Sequence, residues 1–411
     1  MKKVLIVRGK GIVVEDVPVP QISQKDVLVA SAYSLLSSGT EKMVLESGKE
    51  GILKKALHRP DLVKKAIDKI KQGRIKELIE RVQGIMKEPV PVGYSLSGIV
   101  IEKGTFVRDI NVGDRVACAG AEFANHAEIV SVPRNLVVKI PDEVSFEEAS
   151  FTTLGAIAMQ GIRRAERSFG ETIVVMGLGL LGNLGAQIAL ASGYKVIGFD
   201  INEERVKLSK SLGIDSYNLK STDPVKLIFE KTENRGADAV VLYVATNSSE
   251  PVNLAFDMLR QRGRVVLVGV CGLLLDRGKM YRKELDFVIS TSYGPGRYDP
   301  VYEKLSIDYP IGYVRWTENR NMSEFLDLLK QKKIKVKPLI SKVFSVDDAS
   351  QAYSELEKGT SFAILLKYTS EKYKKGISYS DKRVFISPPK EIKGKIKIGL
   401  VGPGNFALNV H

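Results

Sequence analysis

From Ser145 to about Val270 the chain repeats one pattern, a short apolar run followed by a stretch with helical spacing and then another apolar run. The runs are TIVVMG (172–177), KVIGFD (195–200), AVVLYVAT (239–246) and RVVLVGV (264–270), and the helical stretches begin near Leu181, Glu203 and Val252. Runs separated by helices pair in parallel, through right-handed crossovers that place the helices on the sheet faces. This order therefore predicts a doubly wound parallel sheet over about residues 145–290.

The first run ends in Gly177-Leu178-Gly179-Leu180-Leu181-Gly182, directly ahead of a helix of good formers. Gly177 permits a tight turn, Gly179 leaves room for a pyrophosphate, and Gly182 lets helix and strand approach closely. The N-terminus of the helix then offers its unpaired N–H groups to the phosphates. The second run ends in Asp200, 18 residues beyond Gly182, where a carboxylate can accept from ribose hydroxyls. Three glycines alone would be weak evidence; with a strand before them, a helix behind and the acid in place, they predict a dinucleotide site. Val268 and Gly269, at the end of the last run, join the expected cofactor-binding set. Asp200 repels a 2′-phosphate, so NAD is expected ahead of NADP. Arg205 is the countervailing residue, because a guanidinium can pair with that phosphate.

A chain of 411 residues exceeds one hydrophobic core. Residues 1–47 alternate apolar and polar in short runs punctuated by Gly and Pro, and strand signals resume at PVGYSLSGIVIEKG (91–104), so a β lobe is expected over 1–144. A helical insert interrupts it at 48–88, with apolar stripes at Leu62, Val63, Ala66, Ile67, Ile70 and at Ile75, Leu78, Ile79, Val82, Ile85. Residues 291–368 read as an irregular aromatic segment, a helix at 322–332 and short strands near 342–368. A charged linker at 369–394 and KIKIGLVGPGNFA near the end follow.

The formal charge of +14 is concentrated in the insert, with 12 Lys/Arg against 6 Asp/Glu, and in residues 367–397, with 10 against 3. Solvated helix faces and a linker account for that distribution, and no nucleic-acid partner is expected. No run of 18 apolar residues exists and Arg8, Lys10, Glu15 and Asp16 interrupt the start, so neither membrane nor export is expected and the cytoplasm is the expected location. Cys118 and Cys271 are the only cysteines and read as core thiols in a reducing compartment.

A β lobe, a Rossmann unit and a return to the lobe resemble the medium-chain alcohol dehydrogenases, whose lobe is GroES-like. Ser38-Gly39-Thr40-Glu41 is similar to that family's Cys-Gly-Thr-Asp, Gly93-Tyr94-Ser95-Leu96-Ser97-Gly98 to its Gly-His-Glu-x-x-Gly, and Asn111–Val116 to its turn before a lobe strand. The likeness covers about residues 1–368. The ending, with Gly402-Pro403-Gly404-Asn405-Phe406-Ala407, resembles the first turn of a second Rossmann domain. GPGRYDPVYE (294–303) and DYPIGYVRWTENRNM (308–322) look like a two-domain group. In that group a zinc-less dehydrogenase precedes a domain of the glucose-fructose oxidoreductase and inositol dehydrogenase type. On that resemblance, 395–411 is the truncated start of the second domain.

The departures bear on the chemistry. Ser38, Tyr94 and Ser95 stand where the family has Cys, His and Glu, and the stretch around Thr152 and Thr153 offers no Cys. With two Cys and three His in the chain, no catalytic zinc is expected. The resemblance implies Thr40 as proton relay and Tyr94 as a donor to the substrate oxygen, with Ser38 beside them. Arg297, Tyr298, Arg315 and Trp316 lie in a polar, Pro-broken segment and are the expected substrate contacts. Arg suits a carboxylate or phosphate, and Trp the face of a sugar ring.

The resulting expectation is an NAD-dependent, zinc-independent oxidoreductase acting on a secondary alcohol of a sugar, polyol or sugar-conjugate, with a homodimer implied by the resemblance. An NADPH-dependent quinone or enoyl reductase is the enzymatic alternative. A nucleotide-sensing partner of a second-domain protein is the non-catalytic one.

Overall fold

The computed structural model describes residues 1–7, 9–36 and 89–369. The insert expected at 48–88, the candidates Ser38 and Thr40, the linker beyond residue 369 and the stretch 395–411 lie outside the described residues.

Among the described residues, the lobe begins with β1 (Lys2–Val7), β2 (Gly11–Asp16), β3 (Asp26–Leu36), β4 (Val90–Pro91), β5 (Ser95–Lys103), β6 (Arg115–Ala119), β7 (Ile129–Pro133) and β8 (Val137–Lys139). The doubly wound unit supplies β9 (Thr172–Met176), β10 (Lys195–Asp200), β11 (Asp215–Asn218), β12 (Ala237–Leu242), β13 (Leu259–Leu267) and β14 (Asp286–Ile289). The last described strands are β15 (Ile340–Ser345) and β16 (Ala363–Lys367).

The lobe sheet has the order β15-β16-β3-β5-β6-β8, and β7 also pairs with β3. β16 runs antiparallel to β3 with Ile364 opposite Leu36, so the last described strands complete the sheet that the first ones open. β1, β2 and β4 form a small separate sheet.

The second sheet has the order β11-β10-β9-β12-β13-β14, and every pairing in it is parallel. The strand order reverses between β9 and β12, and such a switch point opens a crevice at the carboxyl ends of the strands. Side chains alternate across the sheet. Ile173 and Val175 of β9 join the core that runs toward the lobe, while Val174 and Met176 join the core on the other face. Burial on both faces explains why these strands read as unbroken apolar runs.

Two strands went unpredicted. β11, DSYN, is a polar edge strand, and β14, DFVI, is a short one at the opposite edge. Neither has the length that marks a central strand. The helix expected at 322–332 begins earlier, at Glu318, and runs to Lys330. Thr317 caps it by accepting from the Arg320 N–H, and its polar first turn, ENRN, concealed the start. It packs against helix Thr152–Arg164, where Gly155 leaves space for the Phe325 ring. Between the expected strands near 342–368 lies a helix, Ala349–Glu357.

Candidate dinucleotide crevice and the lobe beside it

The Gly177–Gly182 turn lies at the switch point. Gly177 has φ +90°, a left-handed conformation that glycine adopts without penalty. A Cβ on Gly182 would fall 1.7 Å from the Gly177 carbonyl oxygen, so only glycine lets the helix Leu180–Ala191 begin so close to β9. Gly179 differs, because a Cβ there would meet nothing nearer than Arg205 Nη1 at 4.0 Å. The space above it is open.

Gly179 is also the N-cap of that helix, and no side chain caps it. Elsewhere Asn202, Asp223 and Thr317 cap their helices through side-chain oxygens. The first N–H groups of helix Leu180–Ala191 thus point toward open space beside Leu180 and Leu181, as an anion site requires.

Asp200 ends β10 and is 3% exposed. Its Oδ2 accepts the Leu178 N–H at 2.7 Å and its Oδ1 accepts the Asn202 N–H at 2.8 Å. Two of about four lone-pair positions remain for a ligand's hydroxyls. Arg205 Nη1 stands 3.6 Å from Oδ2, which places a cation at the same rim.

The crevice's far wall is formed by the ends of β12 and β13. The Val268 and Gly269 N–H groups both donate to the Leu242 carbonyl at 3.0 Å. A Cβ on Gly269 would fall 2.0 Å from the Val244 carbonyl oxygen, so close backbone approach fixes this position. Beneath it the half-buried Tyr243 packs against Gly161 and Gly185 and donates to the Ala158 carbonyl at 2.9 Å.

In the lobe, Tyr94 is 8% exposed, and its carbonyl accepts from the Thr153 hydroxyl at 3.3 Å and the Gly120 N–H at 3.1 Å. The Ser95 hydroxyl donates to the Ser150 carbonyl and that of Thr152 to the Ala149 carbonyl, each at 2.7 Å. These hydroxyls serve the backbone. Cys118 is fully buried, and burial pushes its thiol well above the ordinary range, so it stays protonated. His126 Nδ1 lies 2.7 Å from Ser34 Oγ, which lies 2.7 Å from the Tyr368 hydroxyl. Zinc takes thiolate, imidazole or carboxylate ligands. Among the described residues, no group of three or more such side chains could hold a metal.

The four expected substrate contacts form two separate clusters. Arg297 pairs with Glu303 at 2.6 Å and lies 4.1 Å from the centre of the Tyr298 ring, which is 70% exposed. Trp316 has the Arg163 guanidinium 3.4 Å and the Arg315 guanidinium 3.9 Å from its ring centre. Two guanidinium groups that near one centre would collide on a single face, so they cover opposite faces. Neither face is then open to a sugar ring.

Trp316 lines a groove of about 510 Å³ with Arg163, Ile188, Leu328 and Lys333. The last turns of three helices, Thr152–Arg164, Leu180–Ala191 and Glu318–Lys330, border this groove. Helix C-termini carry partial negative charge, and the cations there neutralise it. The groove therefore lies at the opposite end of helix Leu180–Ala191 from the glycine turn.

The sequence reading did not single out Glu318, which is 0% exposed. Neither of its carboxylate oxygens has a hydrogen-bond partner, and burial pushes its carboxyl up to about 9. Its neighbour Tyr293 also has a buried hydroxyl without a partner. A Glu in a helix's first turn ordinarily reads as a favourable surface charge, so no local signal marks it.

A strand-rich lobe, a doubly wound sheet and a chain that returns to the lobe define the medium-chain dehydrogenase architecture, and the chain is an alcohol dehydrogenase-like oxidoreductase. The zinc-binding dehydrogenase family matches residues 181–306. A sorbitol dehydrogenase of Halalkalibacterium halodurans is 25% identical over 311 residues, which cover 68% of this chain and 83% of that protein. An NAD-dependent alcohol dehydrogenase of Sulfurisphaera tokodaii is 26% identical over 387 residues, 86% of this chain and 95% of that one. The solved galactitol-1-phosphate dehydrogenase of Escherichia coli matches with a TM-score of 0.69 at 20% identity, over 90% of this chain and 100% of that one. The family match covers most of the nucleotide unit and the start of the segment after it, and contains none of positions 38, 94, 95, 152 or 153.

Proposed function

We propose that the protein is an NAD-dependent oxidoreductase that works without zinc and acts on a secondary alcohol or ketone of a sugar, polyol or sugar-conjugate. The observation that carries the cofactor assignment is the Asp200 carboxylate, held in place by the Leu178 and Asn202 N–H groups beside an uncapped helix N-terminus. That arrangement suits ribose hydroxyls and disfavours a 2′-phosphate. The sorbitol and NAD-dependent alcohol dehydrogenase relatives support the substrate class.

Asp200, Val268, Gly269 and the Gly177–Gly182 turn would hold NAD, which would supply the acceptor for the carbinol hydride. The chain's own residues orient the alcohol and take its hydroxyl proton. Thr40 is the proposed relay, Tyr94 the proposed donor to the substrate oxygen and Ser38 their neighbour. Arg297 and Tyr298 are the proposed contacts for the rest of the substrate.

Calorimetric titration of NADH and NADPH into metal-analysed protein tests this reading. NADH is expected to bind at least tenfold tighter, because a hydrogen bond to a charged group contributes about 1.5–3 kcal/mol. Asp200→Ser is expected to remove most of that preference. NADPH binding tighter than NADH, or zinc bound at one equivalent and needed for turnover, would overturn it.

A further inference from the structure

Partnerless polar atoms are concentrated in one stretch. Among the described residues, five buried side-chain oxygens without a hydrogen-bond partner belong to Ser290, Tyr293, Ser306 and Glu318, which contributes two. The same stretch contains Ser292, Tyr298 and Ser306 at positive φ, with Gly294 at +118° and Gly296 at +111°. Orphaned polar groups and strained backbone each raise free energy, and both are relieved if the segment opens to water.

The loop from Ser292 to Tyr298 covers Glu318. The Glu318 N–H donates to the Pro295 carbonyl at 2.9 Å, and a Cβ on Gly296 would lie 3.1 Å from Glu318 Oε1. We propose that Glu318 is a proton-controlled latch. While the carboxyl keeps its proton, the loop closes over it; when the proton leaves, the bare carboxylate demands water and the loop lifts.

The surroundings favour that sign. Glu318 is faced by Tyr293 and Arg297 of the loop, by Tyr302 and Glu303 of the short helix Pro300–Glu303, and by Tyr309 beyond it. Arg320 on its own helix pairs with Asp308, and Arg163 on the facing helix hydrogen-bonds Asn321. The cation within its reach, Arg297, is paired to Glu303, which itself repels a charge on Glu318. Burial is the main cause and the Glu303 charge adds to it, so the closed state holds the proton to about pH 9.

The loop follows β14, and its approach is tied to the crevice where the Ser290 N–H donates to the Leu267 carbonyl at 2.9 Å, next to Val268. Opening therefore loosens one lip of the proposed dinucleotide site. That last consequence rests on the function proposed above, whereas the latch does not.

Trp316, the chain's single tryptophan, lies two residues before Glu318 and reports locally. Its emission in nucleotide-free full-length protein, followed from pH 6 to 10.5, is expected to shift in one step no higher than about pH 9. Trypsin cleavage after Arg297 is expected to accelerate at least tenfold across that step. Glu318→Gln keeps the shape and removes the titration, so it should show neither change when assayed at the same pH values. An identical transition in the variant, or no transition in the parent, would overturn the latch. NADH affinity at pH 7 is expected to be the same in both proteins, so failure of the latch and failure of the cofactor reading give different results.

Discussion

The Gly177–Asp200 turn and the Ser290–Glu318 segment adjoin the same sheet, but they are stabilised in different ways. In the turn the left-handed position is a glycine and the buried Asp200 has a backbone donor on each oxygen. In the segment three non-glycine residues adopt positive φ and the buried Glu318 has no donor on either oxygen. The turn is consistent at every level, as expected of a site that must be rigid before a ligand arrives. The segment holds its strain only while packing from elsewhere keeps it closed.

Two glycine substitutions give the largest expected effects and sharpen the first half of that contrast. Gly182→Ala places a methyl 1.7 Å from a backbone oxygen that cannot move without shifting β9. Overpacking of this kind costs about 1–3 kcal/mol or more, so thermal melting should show a strong loss of stability and calorimetry a loss of NADH binding. Gly179→Ala has open space instead, and its φ of −68° suits alanine. Its melting temperature should stay near the parent's while NADH affinity falls at least tenfold, because the methyl occupies the proposed phosphate space. Equal stability losses in the two variants would break the distinction between a glycine needed for packing and one needed for a ligand.

A pH effect is confined to the segment. Burial raises the Glu318 carboxyl from 4.5 to about 9 in the folded protein. Between those values the folded chain binds the extra proton, so stability falls as pH rises, by at most about 1.4 kcal/mol per pH unit. The contribution is fully present below pH 4.5 and gone above 9. Glu318→Gln should therefore gain on the parent as melting is repeated from pH 5 to 9. A constant gap between the two would mean that the side chain is hydrated and the segment less closed than described.

The contrast also explains what the sequence made legible. Glycine spacing, the apolar runs and Asp200 are encoded within a few dozen residues, and each has one dominant physical use, so the sheet and its turn could be read directly. β11 and β14 could not, because edge strands bury too little to leave a periodic signal. Arg297 has its partner Glu303 six residues on in the same segment, whereas the Arg163 that covers Trp316 comes from a distant helix and only tertiary packing brings it there. Glu318 was invisible for the same reason. Its first-turn position argues for exposure, and only the Pro295–Gly296 crossing buries it.

Trp316 offers the smallest effect and the finest test of how the segment stays in place. Arg163 is half-buried, and burial lowers its guanidinium to about 10, so its stacking on the ring occurs away from water. Arg315, on the other face, is exposed. An exposed cation–π contact contributes about 0.5–1 kcal/mol and a desolvated one about 2. Arg315→Gln should thus lower stability by about 0.5 kcal/mol while shifting Trp316 emission, because it uncovers one face of the ring. Arg163→Gln should cost more, since it also breaks the hydrogen bond to Asn321, whose amide donates to the Tyr293 carbonyl at 3.0 Å and so anchors the loop over Glu318. If the two variants cost the same, the loop is held by its own turn geometry, and the packing from helix Thr152–Arg164 is incidental to its closure.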